Sequence, residues 1–153
     1  MKVEQRLKDL GIELPTPPAP IANYVRAVQA GNLLFVSGHG TSKDGKFVYI
    51  GKVGKDLTLE EGYQAARLVM INCLASIKEA VGDLDRVKRV VKLLGMVNAT
   101  PEFGDQPKVI NGASDLLVEV FGPEIGKHAR SAVGMGSLPN QIAVEIEMIV
   151  EVQ

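Results

Sequence analysis

Arg130 and Glu145 are the two side chains whose chemistry and spacing stand out in this sequence. Arg130 stands at the mouth of a run that reads as the penultimate strand. Glu145 lies on the following strand, with a short Leu138-Pro139 turn between them. That order predicts one antiparallel ribbon carrying both residues. A guanidinium held there presents a planar fork suited to a carboxylate. Glu145 could pair with it or direct a water; from spacing alone, a surface cross-strand salt bridge is the plainer reading.

Other constellations reduce to ordinary structure. The segment GTSKDGKF (40–47) comes close to a phosphate-binding loop, but Phe47 replaces the metal-binding hydroxyl and a strand follows where a helix is required. It reads as a hairpin turning at Asp44-Gly45. Ser37, Ser131, His39 and His128 invite a nucleophile–base reading, yet no G-x-S-x-G elbow is present, so they read as hydrogen-bonding residues. The basic run Arg86, Lys88, Arg89, Lys92 lacks interleaved aromatics and reads as a solvated strand edge rather than an RNA platform. Cys73 falls within an apolar helical pattern and reads as a small buried hydrophobe. One Cys and two distant His give no metal-ligand spacing, so neither a disulfide nor a metal site is expected.

The elements that must position these residues follow from periodicity. Val3, Leu7 and Leu10 mark a short amphipathic helix, followed by an extended arm with Pro15, Pro17, Pro18 and Pro20. Tyr24–Gln29 and Leu33–Ser37 form a hairpin about Ala30-Gly31-Asn32, and Phe47–Ile50 is a third strand. Thr58-Leu-Glu-Glu61 is a capping box opening a helix to Val81, with Gly82 as its stop. Arg86–Val97 reads as a strand and Pro107–Phe121 as a second helix stopped by Gly122. Ser131–Leu138 and Ile142–Val152 are the last strands, the final one alternating apolar and mostly acidic residues. The order β-β-β-α-β-α-β-β predicts an α+β domain, one sheet with two helices on one face, residues 1–22 forming an N-terminal arm and 23–153 the domain.

The chain has 153 residues with 17 Lys+Arg against 18 Asp+Glu, a balance that supplies no field for nucleic acid. Its apolar content, counted with glycine, runs slightly above the norm of roughly 45–50%, a hint of surface buried between subunits. The first residues lack the apolar run of a secretory signal and no stretch is long enough to cross a bilayer, so a soluble cytoplasmic protein is expected.

The stretch from His128-Ala-Arg130-Ser131 through Leu138-Pro139 to Val144-Glu145-Ile146-Glu147 resembles the C-terminal signature of the Rid/YjgF family of enamine/imine deaminases, formerly "endoribonuclease L-PSP". Upstream, Tyr24 before Ala27-Val28, Gly31-Asn32 and Val36-Ser37-Gly38 resemble the family's first hairpin, and Asn111 falls where the family places an asparagine. The resemblance spans roughly residues 20–152. It implies a chorismate-mutase-like fold (bacillus type) assembled as a homotrimer with clefts between subunits, and no cofactor. It implies hydrolysis of 2-imino or enamine acids to 2-oxo acids and ammonia, Arg130 holding the carboxylate and Glu145 orienting water. Tyr24, Ser37, Gly38, Asn111 and Ala132 would line the pocket. Ala132 replaces a frequent cysteine, two extra residues separate Asn111 from Arg130, and loop 40–57 marks a longer branch of the family. The alternatives are a non-catalytic trimer that binds small carboxylates or regulates, and an endoribonuclease.

Overall fold

The final strand sets the architecture. In the computed structural model, which describes residues 2–20 and 22–153, Val144, Ile146, Met148, Val150 and Val152 are all buried, and the residues between them face the other way. A strand with one apolar face must be covered on that face only. Ten elements supply the cover and the sheet: α1 (Lys2–Asp9), β1 (Ala27–Ala30), β2 (Leu33–His39), β3 (Ser42–Lys43), β4 (Lys46–Phe47), α2 (Leu59–Val81), β5 (Val87–Asn98), α3 (Gln106–Gly126), β6 (Ala129–Met135) and β7 (Val144–Val152). Met1 and Ile21, which the sequence places in the arm, lie outside the described residues.

The main sheet runs β1-β2-β7-β5-β6. Its pairs are antiparallel except β5 with β6, which are joined by the α3 crossover and therefore run parallel. Both long helices cover the same face: Val69, Met70, Cys73 and Ile77 of α2, with Ile110, Leu116 and Leu117 of α3, are buried against Leu34, Leu93 and Ile146 of the sheet. Val3 and Leu7 of α1 join that core. The helix pair approaches closely because residue 112 is glycine; a Cβ there would collide with the Tyr63 carbonyl. The capping box is present in full, with Glu61 N–H donating to Thr58 Oγ1 at 3.1 Å and Thr58 N–H to Glu61 Oε1 at 3.0 Å.

The structure corrects three expectations in detail. The third strand is only Lys46–Phe47, paired with β3 in a separate hairpin, because Tyr49 takes a left-handed φ of 53° and breaks the extended run. The second helix does not stop at Gly122: it kinks there (φ 82°) and adds a last turn through Pro123 to Gly126. Most consequentially, β6 and β7 do not form a ribbon, since β5 lies between them. The basic run keeps its solvated character: β6 pairs only with residues 92–98, which leaves exposed Lys88 and Arg89 on an open stretch of β5.

Candidate functional site

Glu145 is the second residue of β7, between Val144 and Ile146, whose side chains enter the core, so its own carboxylate leaves from the opposite face. It lies over Gly38, at the irregularity in β2 between Val36 and His39, where a Cβ would run into Oε2. Half-buried there, the carboxyl is pushed above its ordinary 4.5, first by burial and then by the like charge of Glu147. Ser37 is locked beside it: its Oγ and backbone N–H both donate to the Arg26 carbonyl, at 3.0 and 2.9 Å. Tyr24 is 53% exposed. Tyr24, Ser37, Gly38 and Glu145 all line one open groove of about 1460 Å³, walled by the arm (Gly11–Pro20), the β3–β4 hairpin and Ile71, Asn72 and Ser76 of α2.

Arg130 belongs to a second cluster. It pairs in register with Leu93, a core residue, and so leaves β6 on the helix-covered side. There its Nη1 donates to Asn111 Oδ1 at 2.8 Å and to Ser114 Oγ at 3.1 Å, both on α3. Ala132, two residues on and opposite Gly95, shares that side and packs on the core. Ser114 also lies 2.9 Å from His128 Nε2, while His128 Nδ1 lies 2.7 Å from the Gly126 carbonyl. A carbonyl only accepts, so Nδ1 carries the proton and Nε2 accepts from the Ser114 hydroxyl. Burial holds the His128 pKa below 6.5; the bond to Gly126 works against that and the charge of Arg130 with it.

The predicted site residues therefore gather in two groups. Asn111, Arg130 and Ala132 sit together beside α3; Tyr24, Ser37, Gly38 and Glu145 sit together at the groove. Arg130 is level with Leu93 of β5 and Glu145 with Met96, two strands apart and on opposite faces, so their backbones lie ~14 Å apart by ordinary strand spacings. No ion pair joins them among the described residues, and the cross-strand salt bridge read from spacing does not form. Ser114 was missed, although its place one turn beyond Asn111 on the same helix face was a usable signal. His39 repeats the imidazole arrangement, with Nδ1 2.6 Å from the Ser37 carbonyl and Nε2 2.7 Å from Ser76 Oγ. Cys73 is fully buried and its thiol is pushed far up by desolvation. Segment 40–47 is the hairpin expected, with Asp44 and Gly45 at positive φ, and no group of three His, Cys, Asp or Glu able to hold a metal occurs among the described residues.

On the uncovered face of the sheet, Val28 (55% exposed) and Phe35 (44%) lie open to solvent, with Leu94 and Ile149 half-buried beside them. Ser37, Lys92, Ser131 and Glu147 are the polar members of that surface. No helix among the described residues is long and apolar enough to cross a membrane.

Comparison with known proteins adds four findings. The family model described as "YjgF/chorismate_mutase-like, putative endoribonuclease" matches residues 4–151. Protein TCP17 of Trypanosoma cruzi is 47% identical over 150 residues, covering 98% of this chain and 94% of that protein. A 2-iminobutanoate/2-iminopropanoate deaminase of Dermatophagoides farinae is 30% identical over 142 residues, covering 93% and 95%. Among solved structures, protein Atu1372 of Agrobacterium tumefaciens, described as of unknown function, superposes with a TM-score of 0.92 at 47% identity, covering 99% of this chain and 92% of that one.

Proposed function

Because the chain belongs to the YjgF/chorismate mutase-like (Rid) family, we propose that it hydrolyses 2-imino or enamine acids to 2-oxo acids and ammonia without a cofactor. The reacting site is completed between two subunits of a homotrimer, one bringing Asn111, Arg130 and Ala132 and its neighbour Tyr24, Ser37, Gly38 and Glu145. The observation that carries this reading is the split itself. A guanidinium pinned at one nitrogen and a half-buried carboxylate of raised pKa lie on opposite faces of one sheet, where neither can serve the other. The uncovered apolar face around Val28 and Phe35 is the surface by which copies would associate.

In this arrangement Arg130 holds the substrate carboxylate through paired N–H groups, which fixes the adjacent C=N carbon. Glu145 accepts a proton from a water as its oxygen attacks that carbon. The resulting tetrahedral carbon carries both a hydroxyl and the amino group. Starting from the protonated imine, return of the proton from Glu145 to nitrogen lets the C–N bond break while the hydroxyl proton passes to the departing ammonia, giving ammonium and the 2-oxo acid, and Glu145 ends ionised as it began. A carboxyl raised toward neutrality is a better base for this step than an ordinary one.

The test supplies 2-iminobutanoate from an amino-acid oxidase and follows its disappearance. Acceleration by the protein and its loss in Arg130→Ala are expected. Hydrolysis that is as fast in Arg130→Ala as in wild type sinks the assignment. Binding of 2-oxobutanoate with no acceleration favours the small-carboxylate-binding alternative, and cleavage of RNA by nuclease-free protein favours the endoribonuclease.

A further inference from the structure

We propose that Ser114 and His128 are positioning residues for Arg130, turning its guanidinium so that the Nε–Nη2 edge alone is offered to an incoming carboxylate. The inference rests on the carboxylate-binding role given to Arg130 above and says how that role is built.

A guanidinium can grip a carboxylate along two edges: end-on through Nη1 and Nη2, or side-on through Nη2 and Nε. Nη1 carries two hydrogens, and here both are committed, one to Asn111 Oδ1 at 2.8 Å and one to Ser114 Oγ at 3.1 Å. Among the described residues neither Nη2 nor Nε makes a protein hydrogen bond. An end-on grip would have to break a bond already made, whereas the side-on edge is free.

The direction of every bond in this chain is set from its far end. The Gly126 carbonyl can only accept, which places the imidazole proton on Nδ1. Nε2 then has a lone pair for the Ser114 hydroxyl hydrogen, and the Ser114 oxygen is left to accept from Arg130. A serine without His128 would be free to rotate and to offer its hydrogen toward the guanidinium instead. The last turn of α3 supplies the anchor. The helix kinks at Gly122 rather than ending, and the added turn brings Gly126 under His128, packed so tightly that a Cβ there would meet the Leu117 carbonyl at 2.5 Å. The pairing of His39 with Ser76 has the same form but, among the described residues, no arginine bonded to the serine, so such a pair by itself is a packing device. The arginine at its end makes the pair at 128 part of the site.

The experiment compares wild type, Ser114→Ala, Ser114→Thr and Arg130→Ala as full-length assembled protein. It measures the dissociation constant of 2-oxobutanoate by calorimetry, KM and kcat for the in situ imine, and the structure of the wild type soaked with 2-oxobutanoate. Expected for Ser114→Ala is a rise of about tenfold in both the dissociation constant and KM, with kcat changed by no more than about twofold. Ser114→Thr, which keeps the hydroxyl, recovers most of that loss. The soaked carboxylate is expected on Nε and Nη2. Unchanged binding in Ser114→Ala while Arg130→Ala binds poorly overturns the positioning role and leaves the carboxylate role standing. A loss that threonine does not recover makes Ser114 merely structural and overturns it too. A carboxylate seen across Nη1 and Nη2 overturns it whatever the variants do. Should Arg130→Ala bind as well as wild type, it is the function proposed above that fails.

Discussion

A single methyl group at residue 38 has a foreseeable effect, because the atom it would strike is the carboxylate oxygen of Glu145. The backbone there lies in β2 and yields little, so in Gly38→Ala the acid moves instead. With the proposed base displaced by a fraction of its own length, kcat/KM should fall about ten- to hundredfold while the thermal midpoint stays near wild type. An alanine variant as active as wild type would show that Glu145 acts from elsewhere. The raised pKa of Glu145 gives a second expectation. Only the ionised carboxylate accepts a proton from water, and its ionised fraction falls as pH drops through the raised pKa. The acid limb of kcat/KM should therefore lie above pH 4.5, the ordinary value. Glu147→Gln removes the like charge that is the second cause of the shift and should move the limb to lower pH. A limb unmoved in that variant would trace the profile to another group. None of this was legible residue by residue: the sequence shows a glycine and a glutamate 107 positions apart, and only the pairing of β2 with β7 stacks them.

At the scale of elements, the contact between α2 and α3 depends on Gly112. A Cβ there would enter the space of the Tyr63 carbonyl and come within 3.2 Å of the Arg67 nitrogen, both backbone atoms of the facing helix. Gly112→Ala should cost about 1–3 kcal/mol as the helices are forced apart, despite alanine's better helix propensity. Denaturant unfolding measures it, and a stabilised variant would refute the close approach. Much of this layer was readable. The capping box at Thr58 is a local device and formed as read, and the periodicity of α2 and the alternation of β7 each identify a buried face. The misreadings came where a local signal met a tertiary demand. Gly122 has the composition of a stop, yet Pro123 suits a first helical turn and the chain resumes its helix. The run Phe47–Ile50 has strand composition, but Tyr49 turns left-handed so that Ile50 can bridge to Ile142.

For the whole molecule, a site divided between subunits makes a prediction that no single-chain site can match. Arg130→Ala and Glu145→Gln should each be inactive alone. Refolded together in equal amounts, they should, under the proposed assembly, form mixed trimers in which some clefts join an intact Arg130 from one subunit to an intact Glu145 from its neighbour. Random assembly in a closed ring gives about one quarter of the wild-type activity. No recovery on mixing, with trimers verified by sedimentation, would place both residues in one chain's site. The associating surface proposed for that trimer is the sheet face bearing exposed Val28 and Phe35, which the sequence hinted at only through a slight apolar surplus.

The sequence by itself determined the types of the candidate reacting groups, the helices and most strands, and the family signature running from Arg130 to Glu145. These are local properties: a period, a cap, a motif read along the chain. Tertiary structure alone decided that the two ends of that signature part company. The α3 crossover makes β6 parallel to β5, β5 therefore separates β6 from β7, and the pleat sends Arg130 toward the helices and Glu145 away from them. Strand order and facing depend on contacts between residues far apart in the chain, which the spacing of a motif does not encode.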